Sequence, residues 1–174
     1  MEHDRIIKQM VINAQGIRAL TGGVSSEQAR WKPDTGSWSI LEVLNHLIDI
    51  EREDMGVFLD LALHHPDEPR PKIAPEAWVT ERGYNKRDLG ESLQDFVAAR
   101  EASLAWLRSL SSPDWEASYP APWGSIKAGD IFAAWAAHDL LHMRQLVELH
   151  WAYTMGQVQP YSTEYAGSWA EGDN

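Results

Sequence analysis

Four stretches of the sequence repeat apolar residues at the three- and four-residue spacing of one helix face, and none shows the convincing two-residue alternation of a half-buried strand. The predicted helices cover residues 4–20, 40–64, 87–110 and 125–151. Ser39 and Glu42 have the spacing of a capping box at the start of the second helix, and Pro66 ends that helix. Four helices of similar length in 174 residues predict one all-α domain over residues 1–174, a four-helix bundle.

Two connections, residues 66–86 and 113–124, are longer than the usual loop between bundle helices. Both are rich in proline and aromatic residues. Such loops often pack over the mouth of a site, but they could equally be Ω-loops. Tyr161, Tyr165 and Trp169 predict that part of the C-terminal tail also packs onto the bundle.

The chain is strongly acidic, since 15 Lys and Arg oppose 26 Asp and Glu and give a net charge of −11. Such a surface repels phosphate groups, which disfavours binding to nucleic acid or anionic lipid. The lack of cysteine excludes disulfides, thiolate metal ligands and a catalytic cysteine. No run of about 18 apolar residues could span a membrane. The charged residues Glu2, Asp4, Arg5 and Lys8 argue against a signal peptide, so we expect a soluble cytoplasmic protein.

His138 and His142 lie four residues apart on the apolar face of the fourth predicted helix. We therefore expect both imidazoles to point into the interior, where their Nε2 atoms could reach one divalent cation. Two hydrogen-bonded, partly buried histidines are the alternative, and the H-x-x-x-H spacing alone favours that alternative. The glutamate of the helical zinc-protease motif is absent between these histidines, which excludes that class of protease.

His46, in the second predicted helix, favours a metal site over two hydrogen-bonded histidines. A third histidine from a facing helix would complete a three-nitrogen site with open positions, the arrangement of catalytic zinc. Glu42, Asp49 and Glu53 fall within about 60° of His46 on the helical wheel. These carboxylates could orient an imidazole through its second nitrogen or act on a water held by the metal. Each could instead belong to a solvated acidic flank, and Glu42 could serve only as a helix cap.

Residues 36–47 (GSWSILEVLNHL) and 137–145 (AHDLLHMRQ) resemble the DinB-like (DinB/YfiT) superfamily. The resemblance extends across nearly the whole chain and includes Trp31-Lys32-Pro33, the connection from Trp78 to Tyr84, Arg100, and the segment from Tyr165 to Trp169. It implies a four-helix bundle of up-down-down-up topology. It also implies a divalent metal, zinc or nickel, on three histidines, which correspond here to His46, His138 and His142.

Known activities among these similar proteins need a low-molecular-weight thiol and include S-transfer and maleylpyruvate isomerisation. No feature of this sequence matches a thiol-cofactor pocket, so the specific reaction does not transfer. The leading hypothesis is a metal-dependent enzyme in which a thiol or water attacks a small electrophilic substrate, as in a thiol S-transferase or a hydrolase. Asp49 or Glu53 is then the predicted proton acceptor.

Two alternatives stay open at this point. One is a non-catalytic metal-binding bundle with a role in stability, sensing or the stress response. The other is a metal-free bundle that acts by protein–protein contact. A homodimer is an additional expectation, because many small bundles self-associate.

Overall fold

The computed structural model describes residues 2–167 of the chain. In that range the α-helices are α1 (His3–Gly22), α2 (Ser26–Arg30), α3 (Ile40–Glu53), α4 (Met55–His64), α5 (Pro75–Glu81), α6 (Leu89–Ser109) and α7 (Ala128–Gln157). A hairpin of β1 (Ser118–Ala121) and β2 (Gly124–Lys127) precedes α7, and 3₁₀ turns cover Tyr84–Lys86 and Glu164–Ala166. The predicted four-helix bundle is confirmed, with α3 and α4 together forming its second member.

Side-chain contacts fix the direction of each helix in the bundle. In two helix pairs, the N-terminal part of one helix contacts the N-terminal part of the other, and the C-terminal parts likewise contact each other. The contacts are Asn45 with Ser92 and Glu51 with Arg100 for α3 and α6, and Asn13 with Asp139 and Leu20 with His150 for α1 and α7. Both pairs are therefore parallel. The pairing of α1 with α6 runs the opposite way, because Ile7 and Leu104 belong to one apolar cluster and Ile17 and Phe96 belong to another. The expected up-down-down-up topology follows from these directions.

The second predicted helix is interrupted at Asp54, where the backbone (φ −123°, ψ −85°) leaves the helical region. The Asp54 carboxylate accepts a hydrogen bond from Arg70 in the following connection. The apolar pattern continues across this break, since Phe58 and Leu59 in α4 are also buried. The periodicity alone therefore predicts one helix where the structure has two.

Both long connections contain structure of their own. The first must return along the bundle because α3 and α6 are parallel, and it buries Trp78, Val79 and Tyr84 in a cluster that also contacts Trp38. The second forms the hairpin, whose Tyr119 packs edge-on against a ring of α4. The sequence does not predict this hairpin, because four-residue strands are too short for alternation to be recognisable. Residues 125–127 consequently belong to β2 rather than to the last helix.

Two apolar clusters fill the bundle, and a polar layer lies between them along the helices. The residues of this polar layer are Asn13, Glu51, Arg100 and Asp139, all of them buried. Arg100 donates to both oxygens of Asp139, at 2.7 and 2.8 Å, and to Glu51 at 2.7 Å. Trp135 donates its indole N–H to the same Glu51 oxygen at 2.7 Å.

Tyr161 and Tyr165 are largely exposed, so the prediction that this part of the tail packs onto the bundle is wrong for both residues. Trp169 lies outside the described residues. Among residues 2–167, no helix combines the length and the apolarity that crossing a membrane requires.

Candidate metal centre

Two antiparallel helices bring the three histidines together: His46 lies on α3, and His138 and His142 lie one turn apart on α7. The predicted capping box is present at the start of α3. The Ser39 hydroxyl accepts from the Glu42 amide at 3.1 Å, and the Glu42 carboxylate accepts from the Ser39 amide at 2.8 Å. This box fixes the first turn of α3, about two turns before His46.

The Nε2 atoms of the three histidines converge. His138 Nε2 lies 3.1 Å from His142 Nε2 and 3.5 Å from His46 Nε2. Ligand atoms from all three side chains lie within 4.8 Å of one another. Nitrogens bound to a tetrahedral zinc ion at about 2.0–2.1 Å are roughly 3.3 Å apart. The spacing of these nitrogens therefore fits a divalent cation between them.

The protonation of the histidines also fits a cation. Burial, together with the neighbouring imidazoles, lowers the pKa of His46 to about 3. Burial likewise lowers the pKa of His138 to about 4, and it lowers the pKa of His142. All three imidazoles are therefore neutral at pH 7, and a neutral imidazole is the form that binds a metal.

His138 and His142 lie at the edge of the bundle, which corrects the expectation that both point into the apolar interior. Both side chains are half-buried, whereas Asp139 beside them is fully buried and binds Arg100. The polar layer occupies the interior at this level, so the helix face that carries the histidines is turned outward. Their nitrogens consequently border a cavity.

The second nitrogens of His142 and His46 differ in their surroundings. His142 Nδ1 donates to Gln145 Oε1 at 2.9 Å, which leaves the Nε2 lone pair directed at the centre. His46 Nδ1 is buried and has no hydrogen-bond partner among the described residues. Of the two roles considered for the neighbouring carboxylates, the orientation of His46 through its second nitrogen is therefore not present.

The three carboxylates expected near His46 are bound elsewhere. Glu42 completes the capping box. Asp49 is buried and accepts from Arg82 at 2.7 Å and from the Tyr84 hydroxyl. Glu53 accepts from both terminal nitrogens of Arg82, and this contact lowers the pKa of the Glu53 carboxyl. Arg82 thus neutralises both predicted proton acceptors.

Two cavities meet at the histidines. The first, here called the histidine cavity, has a volume of about 570 Å³ and is lined by all three histidines, Trp38, Ile50, Asp54 and residues 74–77. The second, here called the adjacent cavity, has a volume of about 610 Å³, and its lining includes Trp38, His142, Gln145 and Glu148. The rings of Trp38 and His142 stand parallel, with centroids 6.3 Å apart, and form the wall between the cavities. Neither Asp49 nor Glu53 lines either cavity.

Sequence reasoning missed four residues that border the centre: Trp38, Asp54, Glu76 and Gln145. For two of them, Gln145 and Trp38, the sequence contains a pattern that could have indicated a place near the histidines. Gln145 follows His142 by three residues, which on a helix places the two side chains side by side. Trp38 directly precedes the capping box. Nothing in the sequence indicated Glu76, because α5 lies near the histidines only through the way the connection between α4 and α6 folds back along the bundle.

The fold and the donor atoms together define a class of protein: a helical bundle with a three-nitrogen site for a divalent cation between facing helices. The family model of the DinB superfamily matches residues 9–146, and the chain belongs to that superfamily. The structural comparison agrees with this assignment. The structure is similar to that of YfiT from Bacillus subtilis, described as a probable metal-dependent hydrolase with an unusual four-helix bundle topology.

The similarity to YfiT has a TM-score of 0.76 at 18% sequence identity and covers 89% of this chain and 88% of YfiT. At that identity it shows a shared fold. None of the curated protein sequences compared with the chain matches it significantly.

Proposed function

We propose that the chain is a metal-dependent enzyme that holds a divalent cation, zinc or nickel, on His46, His138 and His142. The observation that carries the proposal is the convergence of three neutral imidazole nitrogens at the wall of a cavity. When bound, such a cation lowers the pKa of a water or a thiol at its open position and so supplies a nucleophile at neutral pH. The reaction is then hydrolase-like or S-transferase-like, with a small electrophilic substrate.

The protein's own residues hold and orient this centre. Gln145 fixes the tautomer and the rotation of His142, and burial keeps the imidazoles unprotonated. Trp38 covers the site, because its ring lies 4.9 Å from that of His46 and beside that of His142. The likeness in fold to YfiT, described as a probable hydrolase, favours water as the nucleophile. A low-molecular-weight thiol remains the alternative.

Asp49 and Glu53 remain the predicted proton acceptors in this proposal. Because Arg82 binds both, a carboxylate in this role must exchange its contact with Arg82 for the proton of the nucleophile. Glu53→Gln is expected to lower kcat at unchanged metal content if Glu53 accepts that proton. An unchanged kcat and pH profile for both Glu53→Gln and Asp49→Asn would assign the two residues to holding Arg82 instead.

A non-catalytic metal site is the second candidate, and it predicts a fourth protein ligand that closes the coordination. Among residues 2–167 the group of potential ligands consists of the three histidines. The bordering cavity of about 570 Å³ is large enough for a small molecule, which favours an open, catalytic centre. A homodimer and a cytoplasmic location remain predictions from the sequence.

The test is the metal content per chain, measured by elemental mass spectrometry on protein purified without chelators. His142→Ala is compared with His64→Ala, a matched change at an exposed histidine that pairs with Asp60. We expect near-stoichiometric metal in the native protein and in His64→Ala and its loss in His142→Ala. Absence of metal from the native protein, with no uptake of Zn²⁺ or Ni²⁺ on titration, would refute the proposal.

A further inference from the structure

The charges around the centre give information about the substrate that the histidines do not. Among the described residues, no lysine or arginine lines either cavity. The histidine cavity is bordered by Asp54 and Glu76, and the adjacent cavity by Glu148. A carboxylate or phosphate lying in either cavity would therefore meet negative side chains and no cation of the protein.

Four basic side chains around this region pair with carboxylates of the protein. They are Lys32 with Glu42 at 2.7 Å, Arg70 with Asp54, Arg82 with Asp49 at 2.7 Å and with Glu53, and Arg144 with Glu148 at 3.0 Å. Two of these guanidinium groups are also held over aromatic rings, at 4.0 Å for Arg70 and 3.9 Å for Arg82. Releasing any of them to an anionic ligand would leave a carboxylate without its partner.

Glu76 differs from the other carboxylates. It lies on α5, lines the histidine cavity and makes no ion pair within residues 2–167. Trp38 lines the same cavity and offers an aromatic ring to it. A carboxylate without a counter-ion and an indole ring that line one cavity are a combination that binds ammonium groups, through charge attraction and a cation–π contact.

We propose that the substrate of the three-histidine centre carries an ammonium group, which lies in the histidine cavity between Glu76 and Trp38 while the reacting end of the substrate faces the histidines. This inference rests on the proposed function, because it assigns a substrate class to the same site. It also disfavours thiols that carry several carboxylates as the nucleophile.

The experiment uses three thiols of similar size that differ in charge: 2-aminoethanethiol, 2-mercaptoethanol and 3-mercaptopropionate. Each is titrated at low salt into the Ni²⁺- or Co²⁺-loaded full-length protein, and binding is followed by the thiolate-to-metal charge-transfer band. Dissociation constants are expressed per thiolate to correct for the protonated fraction of each thiol. Comparing each thiol between the native protein and the variants cancels the differences in thiolate basicity. The indole N–H NMR signal of Trp38, assigned with Trp38→Phe, reports binding in the cavity independently of that band.

We expect the ammonium thiol to bind about tenfold more tightly than the neutral one, and the carboxylate thiol to bind most weakly. Glu76→Gln should reduce the advantage of the ammonium thiol about threefold, in the range of exposed ion pairs, because Glu76 is exposed at the cavity. Glu81→Gln is the same change on the same helix, at a position that is also exposed but lies outside the cavity lining, and it should leave the tenfold advantage unchanged.

Equal binding of the three thiols, a preference for the carboxylate thiol, or no binding of the ammonium thiol by either readout would overturn the inference. An advantage of the ammonium thiol that is as large in Glu76→Gln as in the native protein would overturn it as well. Failure of the proposed function looks different, because the protein would then take up no Ni²⁺ or Co²⁺ and no charge-transfer band could form with any thiol.

Discussion

Replacing the buried Arg100 by methionine tests whether the polar layer is held together by charge. The Arg100 side chain is 2% exposed, and the side chains of its partners Glu51 and Asp139 are each 1% exposed. Arg100→Met keeps an unbranched side chain in the bundle but removes two hydrogen bonds to Asp139, one to Glu51 and one to the Met10 carbonyl. Two carboxylates then face one another in the interior without a cation.

The cost follows from this burial. Breaking a buried ion pair by removing one partner destabilises a protein by about 3–5 kcal/mol, because an uncompensated charge remains. That loss is a large part of the roughly 5–15 kcal/mol by which a domain is stable. Neutralising the remaining carboxylates as well, in Arg100→Met/Glu51→Gln/Asp139→Asn, should recover most of the loss, since the charge that carries the penalty is gone.

The measurement is the free energy of unfolding from urea titrations followed by circular dichroism. Arg52→Met is the matched control, because Arg52 pairs with Asp95 at 2.9 Å while both side chains are about half exposed. We expect a loss below about 1 kcal/mol for this control. A loss of the same small size for Arg100→Met, or a triple variant less stable than Arg100→Met, would refute the charge argument.

Three further predictions concern the site and its supports. Gln145→Ala should weaken metal binding roughly 10–100-fold, because it removes the acceptor that orients His142, and competition with a chromophoric chelator measures this; an unchanged affinity would contradict the role of Gln145. The metal-free protein should lose stability as the pH falls from about 6.5 to 4. The lowered pKa values of His46 and His138 mean that the unfolded chain binds more protons in that window, with a slope of up to about 1.4 kcal/mol per pH unit for each histidine. Urea midpoints that do not change across this range would contradict the shifts. Ser39→Ala should cost about 1 kcal/mol of unfolding free energy through loss of the cap of α3, and an unchanged midpoint would show that the cap does not stabilise this helix.

Local patterns predicted most of the bundle correctly because helix formation and capping depend on neighbouring residues. The capping box at Ser39 predicted the start of α3, and the apolar spacing predicted the four members of the bundle. The apolar pattern gave a wrong prediction where contacts with residues distant in the sequence determine the backbone. The contact of Arg70 with Asp54 at the break between α3 and α4 comes from the next connection, and nothing in the periodicity marks it.

For the histidines too, the sequence predicts one part of the arrangement and the tertiary structure determines the other. Their types and spacing follow from the sequence alone, and the distance between His138 and His142 is a property of one helix turn. The convergence of His46 on that pair depends on how α3 and α7 cross, which only the packed bundle determines. Arg82, from the connection after α5, likewise binds Asp49 and Glu53, the carboxylates that the helical wheel had placed beside His46.

The sequence by itself determined the four-helix class, the start of α3 and the pairing of His138 with His142, because each depends on spacing within one helix. The tertiary structure decided that α7 turns Asp139 inward to Arg100 and so turns His138 and His142 toward a cavity. It also decided which carboxylates border that cavity. The rotation of a helix is set by everything packed against it, and a buried arginine that needs two carboxylates constrains that rotation more strongly than an apolar pattern does.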